Sequence, residues 1–146
     1  MSTAHPGPES ASSDENELRV LLQKVSRRIR AERGGHVTDS QLGALWRLSS
    51  ADGASPGELA AAEKVSPPSM NRTVNSLEEA GYVRREPSPD DARRVLVRLT
   101  PEGRDLLAET ARLRAEWFSA QLSRLPAHER AQLLAVTEIL RKLADS

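Results

Sequence analysis

The stretch Ser66-Pro67-Pro68-Ser69-Met70-Asn71-Arg72-Thr73-Val74-Asn75-Ser76-Leu77 constrains this chain more than any other. Met70, Val74 and Leu77 recur at helical spacing and turn toward a core. Ser69, Asn71, Arg72, Thr73 and Asn75 make the other face short and polar. Ser66 suits an N-cap, and Pro67 suits the first helical position, where a missing N–H costs nothing. An exposed face of Asn and Arg matches the donors and acceptors on base edges in a DNA major groove. A plain solvated helix face has the same composition, so the neighbouring segments decide.

Upstream, Thr38-x-x-Gln41 is a capping box that opens a helix carrying Leu42, Leu45, Trp46 and Leu48, with a stop near Asp52-Gly53. Ser55-Pro56-Gly57-Glu58 opens a second, Leu59-Ala60-Ala61-Ala62-Glu63, whose small residues allow close packing. Lys64-Val65 is then the whole turn before Ser66, which makes a helix-turn-helix pattern. Downstream, Gly81 ends the polar-faced helix, and Tyr82–Glu86 and Arg94–Leu99 read as strands. The Pro87–Arg93 segment between them has turn chemistry, so the pair forms a hairpin, or wing. Arg93 and Arg94 beside its tip suit a narrow, negative minor groove, with Asp91 holding the Arg93 side chain extended.

The chain ends read differently. Residues 1–14 have the composition of a disordered tail. Leu18, Leu21, Leu22, Val25 and Ile29 then trace an amphipathic helix entered through Ser12-x-x-Glu15 and closed by Gly34-Gly35. Its basic face, Arg19 to Arg33, is read as solvated. After the wing, Thr100-Pro101 caps a long helix through Leu106, Thr110, Leu113 and Trp117, and a final helix follows Pro126 with Leu133, Leu134, Leu140 and Leu143. These amphipathic segments fit a helical dimer interface, symmetric dimers being the commonest oligomers. The expected fold is mainly α with a small β-hairpin wing. The winged helix-turn-helix occupies 36–100, and a helical dimerisation region combines 15–35 with 101–146.

Composition narrows the chemistry. The chain has no cysteine, which excludes disulfides, thiol nucleophiles and thiolate metal sites. Three scattered histidines offer no metal-ligand spacing, and no cofactor is implied. The adjacent pairs Asp90-Asp91 and Glu78-Glu79 lack any accompanying base or nucleophile, so no enzyme is expected. Formal charge is zero, so any affinity for DNA rests on local basic patches. No apolar run reaches membrane-spanning length and no signal-peptide core opens the chain, which predicts a cytoplasmic protein without membrane association.

Taken together, Ser55-Pro56-Gly57-Glu58-Leu59-Ala60, Val65-Ser66-Pro67-Pro68-Ser69, Leu77-Glu78-Glu79-Ala80-Gly81-Tyr82-Val83 and Asp91-Ala92-Arg93 followed by Leu99-Thr100-Pro101-Glu102-Gly103 resemble the MarR family of bacterial transcription regulators. The resemblance implies a homodimer that binds a palindromic double-stranded operator, usually as a repressor, and that a small aromatic or phenolic effector often releases. It places the helix from Ser66 in the major groove and Arg93 in the minor groove. Lys64 departs from the pattern, standing where a small residue is common. The DNA-contacting set is then Ser66, Pro67, Pro68, Ser69, Asn71, Arg72, Asn75, Asp91, Arg93 and Arg94, with backbone N–H groups at the helix start also holding phosphates. Arg27, His36 and Trp46 are candidate effector-lining residues, against the plainer reading of Trp46 as core. A winged-helix protein-interaction module is the alternative; the cluster Arg84, Arg85, Arg93, Arg94 and Arg98 around the wing argues against it.

Overall fold

The computed structural model describes residues 12–146, so most of the tail expected over 1–14 lies outside the described residues. The chain divides into one unit ending at Ala31 and a second spanning Glu32–Ser146. In the first, α1 (Ser13–Ala31) begins with the anticipated capping box. The Glu15 N–H donates to Ser12 Oγ at 3.2 Å, and the Ser12 N–H donates to Glu15 Oε2 at 3.1 Å. The helix thus starts inside the span assigned to the tail, and it stops short of Gly34-Gly35. Leu18, Leu21, Leu22 and Val25 are all exposed along it.

The second unit runs α2 (Asp39–Ser49), α3 (Pro56–Glu63), α4 (Pro67–Glu79), β1 (Val83–Pro87), β2 (Val95–Leu99), α5 (Pro101–Ser123), α6 (Ala127–Ala135) and α7 (Thr137–Ala144). Its core takes Leu42, Leu45 and Leu48 from α2, Leu59 and Ala60 from α3, and Met70, Val74 and Leu77 from α4. Val83, Val97 and Leu99 close it from the hairpin, and Leu106 and Leu107 from α5. The strands pair antiparallel, Val83 opposite Leu99 and Pro87 opposite Val95. Ala54 adds a one-residue bridge to Val97, which ties the loop before α3 to the wing.

Three joints hold these elements together. Thr100 caps α5 by accepting from the Gly103 N–H at 3.1 Å, while its hydroxyl donates to the Gly81 carbonyl at 2.6 Å. Buried Thr110 accepts from the Gly34 N–H at 3.1 Å, and Arg114 Nε donates to the Glu32 carbonyl at 3.0 Å, so α5 fixes the segment that leads into α2. Arg47 Nε donates to Glu63 Oε1 at 2.9 Å, joining α2 to the end of α3.

The single C-terminal helix anticipated from sequence is instead α6 and α7. At the break the Val136 N–H donates to the Leu133 carbonyl three residues back, at 3.3 Å, and the Thr137 hydroxyl donates to the Leu134 carbonyl. A β-branched pair with a competing hydroxyl accounts for the interruption. Neither α6 nor α7 buries a residue, and Leu133, Leu134, Ile139, Leu140 and Leu143 lie exposed.

Candidate nucleic-acid interface

The two helices of the motif are set by their caps. Ser55 and Glu58 form a reciprocal capping box at α3, with bonds of 3.1 and 3.3 Å. At the other end of α3, Lys64 adopts φ 55°, ψ 43°, the left-handed conformation that usually needs glycine. It is the one non-glycine residue with positive φ among the described residues. That turn delivers the chain to Ser66, which caps α4 by accepting from the Ser69 N–H at 3.3 Å. Met70, Val74 and Leu77 are buried, which leaves Asn71, Arg72 and Asn75 exposed on the far side. Ser69 and Thr73, read from the sequence as part of that exposed face, are half-buried.

The start of this helix has few free N–H groups. A helix N-terminus ordinarily offers free N–H groups to an anion. Here Pro67 and Pro68 have none, the Ser69 N–H is taken by Ser66 Oγ, and the Met70 N–H donates to the Ser66 carbonyl at 3.0 Å. Exposed at this end are Ser66, whose N–H has no partner among the described residues, and Lys64. The Lys64 side chain has no ion-pair or hydrogen-bond partner among the described residues, and neither has that of Arg72.

On the wing, Asp91 Oδ1 accepts from both the Arg93 N–H at 3.0 Å and Arg93 Nε at 3.2 Å. These bonds, the backbone one first, hold the Asp91 carboxyl below its ordinary range. The Arg93 side chain is nevertheless 92% exposed, so its terminal nitrogens project from the tip while Asp91 fixes its base.

The rest of the arginine cluster is more neutralised than its sequence density implied. Arg94 Nη2 reaches Glu58 Oε1 at 2.7 Å. Arg84 and Arg98 are opposite each other in the hairpin, and Glu86 on the same face pairs with both. Arg98 also donates to the carbonyl and carboxylate of Asp52, at 3.0 and 2.5 Å, which makes it a brace between the wing and the loop before α3. Arg85 Nη1 pairs with Glu78 Oε1 at 2.9 Å, the Arg85 N–H donates to Glu78 Oε2 at 3.1 Å, and Arg85 Nη2 donates to Asn75 Oδ1 at 2.8 Å. Apart from the Arg84–Glu86 pair, two residues apart on β1, these partners come from other elements, and no local pattern announced them.

Trp46 and His36, both in the second unit, do not line one hollow. Trp46 is 37% exposed rather than core, because Leu42, Leu45 and Leu48 occupy the inner face of α2. It borders a hollow of about 300 Å³ with Ser49, Arg104, Leu107, Ala108 and Ala111. His36 is exposed and is not among those residues, and Arg27 lies exposed on α1, in the other unit. Arg104 was not anticipated. It lies one helical turn before Leu107 and Ala108, but no sequence signal set it apart. Among the described residues, no cluster of His, Asp and Glu could hold a metal ion, and no helix is long and apolar enough to cross a membrane.

Comparison with known proteins agrees with this architecture. Residues 37–94 match the MarR family. An HTH-type transcriptional regulator of Mycobacterium tuberculosis is 36% identical over 131 residues, covering 89% of this chain and 92% of that protein. Among solved structures, a transcriptional regulator from Pseudomonas aeruginosa is 30% identical with a TM-score of 0.79, over 93% of this chain and 99% of that one. A Staphylococcus aureus MepR mutant bound to an oligodeoxyribonucleotide shares the fold with a TM-score of 0.69 at 20% identity, over 91% of this chain and 99% of that one. With its capped helix pair, hairpin wing and near full-length relatives, the chain belongs to the MarR family of transcriptional regulators.

Proposed function

We propose that this regulator is a cytoplasmic repressor that binds a palindromic double-stranded operator as a homodimer, with α4 in the major groove and the wing tip in the minor groove. The observation that carries the reading is the pairing of two exposed features on one rigid scaffold. One is a recognition face of Asn71, Arg72 and Asn75; the other is the projecting Arg93 held at its base by Asp91. Ser66 and Ser69 lie where α4 would meet the backbone, and Lys64 supplies the charge that the helix start lacks in N–H donors. Pro67 and Pro68 fix where that helix begins. Arg94 joins the contact set on release from Glu58. The MepR relative, solved with an oligodeoxyribonucleotide, supports binding of DNA by this fold.

The dimer would bury the apolar residues left exposed on the terminal helices. A small aromatic or phenolic effector entering the hollow beside Trp46 would release the operator, its acidic group meeting Arg104. Titration of DNA binding against salt tests the central claim. Each phosphate neutralised steepens the dependence by about 0.9 in log–log slope. The ion pairing of Arg84, Arg85, Arg94 and Arg98 favours a second reading, a winged-helix module that docks on another protein. Binding without salt dependence, and no operator recovered from genomic fragments, would establish that one instead.

A further inference from the structure

Asn71 and Asn75 are separated by one helical turn on the exposed face of α4, yet their amides are not equivalent. Asn71 has no partner among the described residues. The Asn75 side-chain oxygen accepts from Arg85 Nη2 at 2.8 Å. Arg85 is itself anchored on β1 by Glu78, which accepts from its guanidinium at 2.9 Å and from its backbone N–H at 3.1 Å. The donor is a guanidinium, which cannot accept, so the oxygen rather than the nitrogen of the Asn75 amide must face it. The amide orientation is therefore fixed by chemistry, with both NH₂ hydrogens on the side turned from Arg85.

We propose that the Glu78–Arg85 pair biases Asn75 toward donating, so that it selects guanine in the operator where a free asparagine would select adenine. The proposal rests on α4 being the recognition helix. An asparagine recognises adenine with two bonds, its oxygen accepting from N6 and its nitrogen donating to N7. Arg85 already holds one lone pair of the oxygen, so the accepting half is engaged and the NH₂ group is the half left without a partner. Guanine presents two acceptors, N7 and O6, in the major groove and no donor, so it matches an NH₂ group alone. Thymine offers a single acceptor and cytosine a donor, which makes them poorer partners. Asn71, with both halves free, keeps the adenine pattern. Arg85 thus acts as a positioning residue that specifies sequence without touching a base.

The test is selection from randomised duplexes, sequenced for the wild-type protein, Asn75→Ala, Arg85→Met and Glu78→Gln, each first shown by thermal melting to be folded. Asn75→Ala identifies the operator position that Asn75 reads, by loss of preference there. At that position the wild type is expected to favour guanine by roughly tenfold, the scale of one good base contact. Arg85→Met keeps the side-chain stem but frees the oxygen, and the preference should move to adenine. Glu78→Gln, which loosens the anchor without removing the guanidinium, should move it part of the way and serves in its own right if Arg85→Met does not fold. Adenine in the wild type at that position, no position sensitive to Asn75→Ala, or an unshifted preference in both positioning variants would overturn the proposal. Failure of the wild type to select any duplex would instead sink the reading of α4 as a DNA-binding helix.

Discussion

A β-carbon on Gly103 would stand 2.2 Å from the carbonyl oxygen of Tyr82. That approach is the point where α5 meets the junction between α4 and β1. The Thr100 N–H donates to the same Tyr82 carbonyl at 3.1 Å, and the Thr100 hydroxyl bonds Gly81 one residue earlier. The Leu-Thr-Pro-x-Gly sequence is therefore a joint that orients the wing and α4 against the long helix. Because the obstacle is backbone, it cannot rotate out of the way. Gly103→Ala should destabilise the protein by at least about 1–3 kcal/mol, the usual cost of overpacking. Equilibrium urea unfolding reads this directly, and an unchanged midpoint would contradict the close approach.

Lys64 sets stability against function. Its left-handed backbone costs about 1–2 kcal/mol for a residue with a β-carbon, partly offset in glycine by greater chain entropy. Lys64→Gly should accordingly raise stability by roughly 0.5–1 kcal/mol. The same change removes the ammonium beside the donor-poor start of α4, so DNA affinity should fall and the salt slope should shrink by about one contact. If the variant melts higher and binds DNA as before, Lys64 has no part in the interface.

The two tip arginines are expected to behave differently. Arg93 projects freely, and Arg93→Ala should weaken operator binding substantially while the protein stays folded. Arg94 must first leave Glu58. Glu58→Gln retains a side chain able to cap Ser55 but releases Arg94, and should tighten binding a few-fold at low salt. Fluorescence anisotropy with a labelled operator measures both, and equal or weaker binding by Glu58→Gln would remove Arg94 from the contact set.

Glu86 gives the fold a specific acid sensitivity. The hydrogen bond from Arg84 holds its carboxyl below the ordinary value of 4.5, with burial opposing and Arg98 reinforcing. A depressed folded-state value contributes stability that is present above the ordinary value and is lost as pH falls through the folded one. Wild type should therefore melt above Glu86→Gln at neutral pH, and the gap should close as pH drops below about 4.5. A gap that is constant from neutral to acid pH would show that the charge on Glu86 adds nothing to stability.

The parts of this architecture legible in sequence are those written within a few residues. The serine and threonine caps at Ser12, Thr38, Ser55, Ser66 and Thr100 each announce a helix start, because side chain and backbone partner lie three residues apart. The apolar spacing of α4 and the turn residues of the wing are equally local. Arg98 illustrates what is not. It looks like another cation of a basic wing, yet its partner Asp52 lies 46 residues away, and only the folded hairpin brings them together. Trp46 is a second case, since helical spacing cannot tell an inward position from one at the rim of a hollow. Even Pro67-Pro68 carried an unread consequence. Two missing N–H groups leave the start of α4 with fewer of the donors that a phosphate would seek.

The exposed apolar residues of α7 make the clearest test of assembly. Leu140 and Leu143 are three residues apart on that helix, with Ile139 beside them, and all three are exposed in the single chain. Burying a leucine fully is worth about 1.5–3 kcal/mol, so a few such residues on each protomer supply a large part of a stable interface. Placing a charge there reverses the sign, because an unpaired carboxylate buried between subunits is costly. Leu140→Glu should leave the winged domain folded, since α7 contributes no buried residue to its core. Sedimentation at micromolar concentration should then show a dimer for the wild type and a monomer for the variant. DNA affinity should drop sharply with the loss of one half-site contact, while helical content stays close to wild type. A variant that sediments like the wild type would place the dimer interface elsewhere.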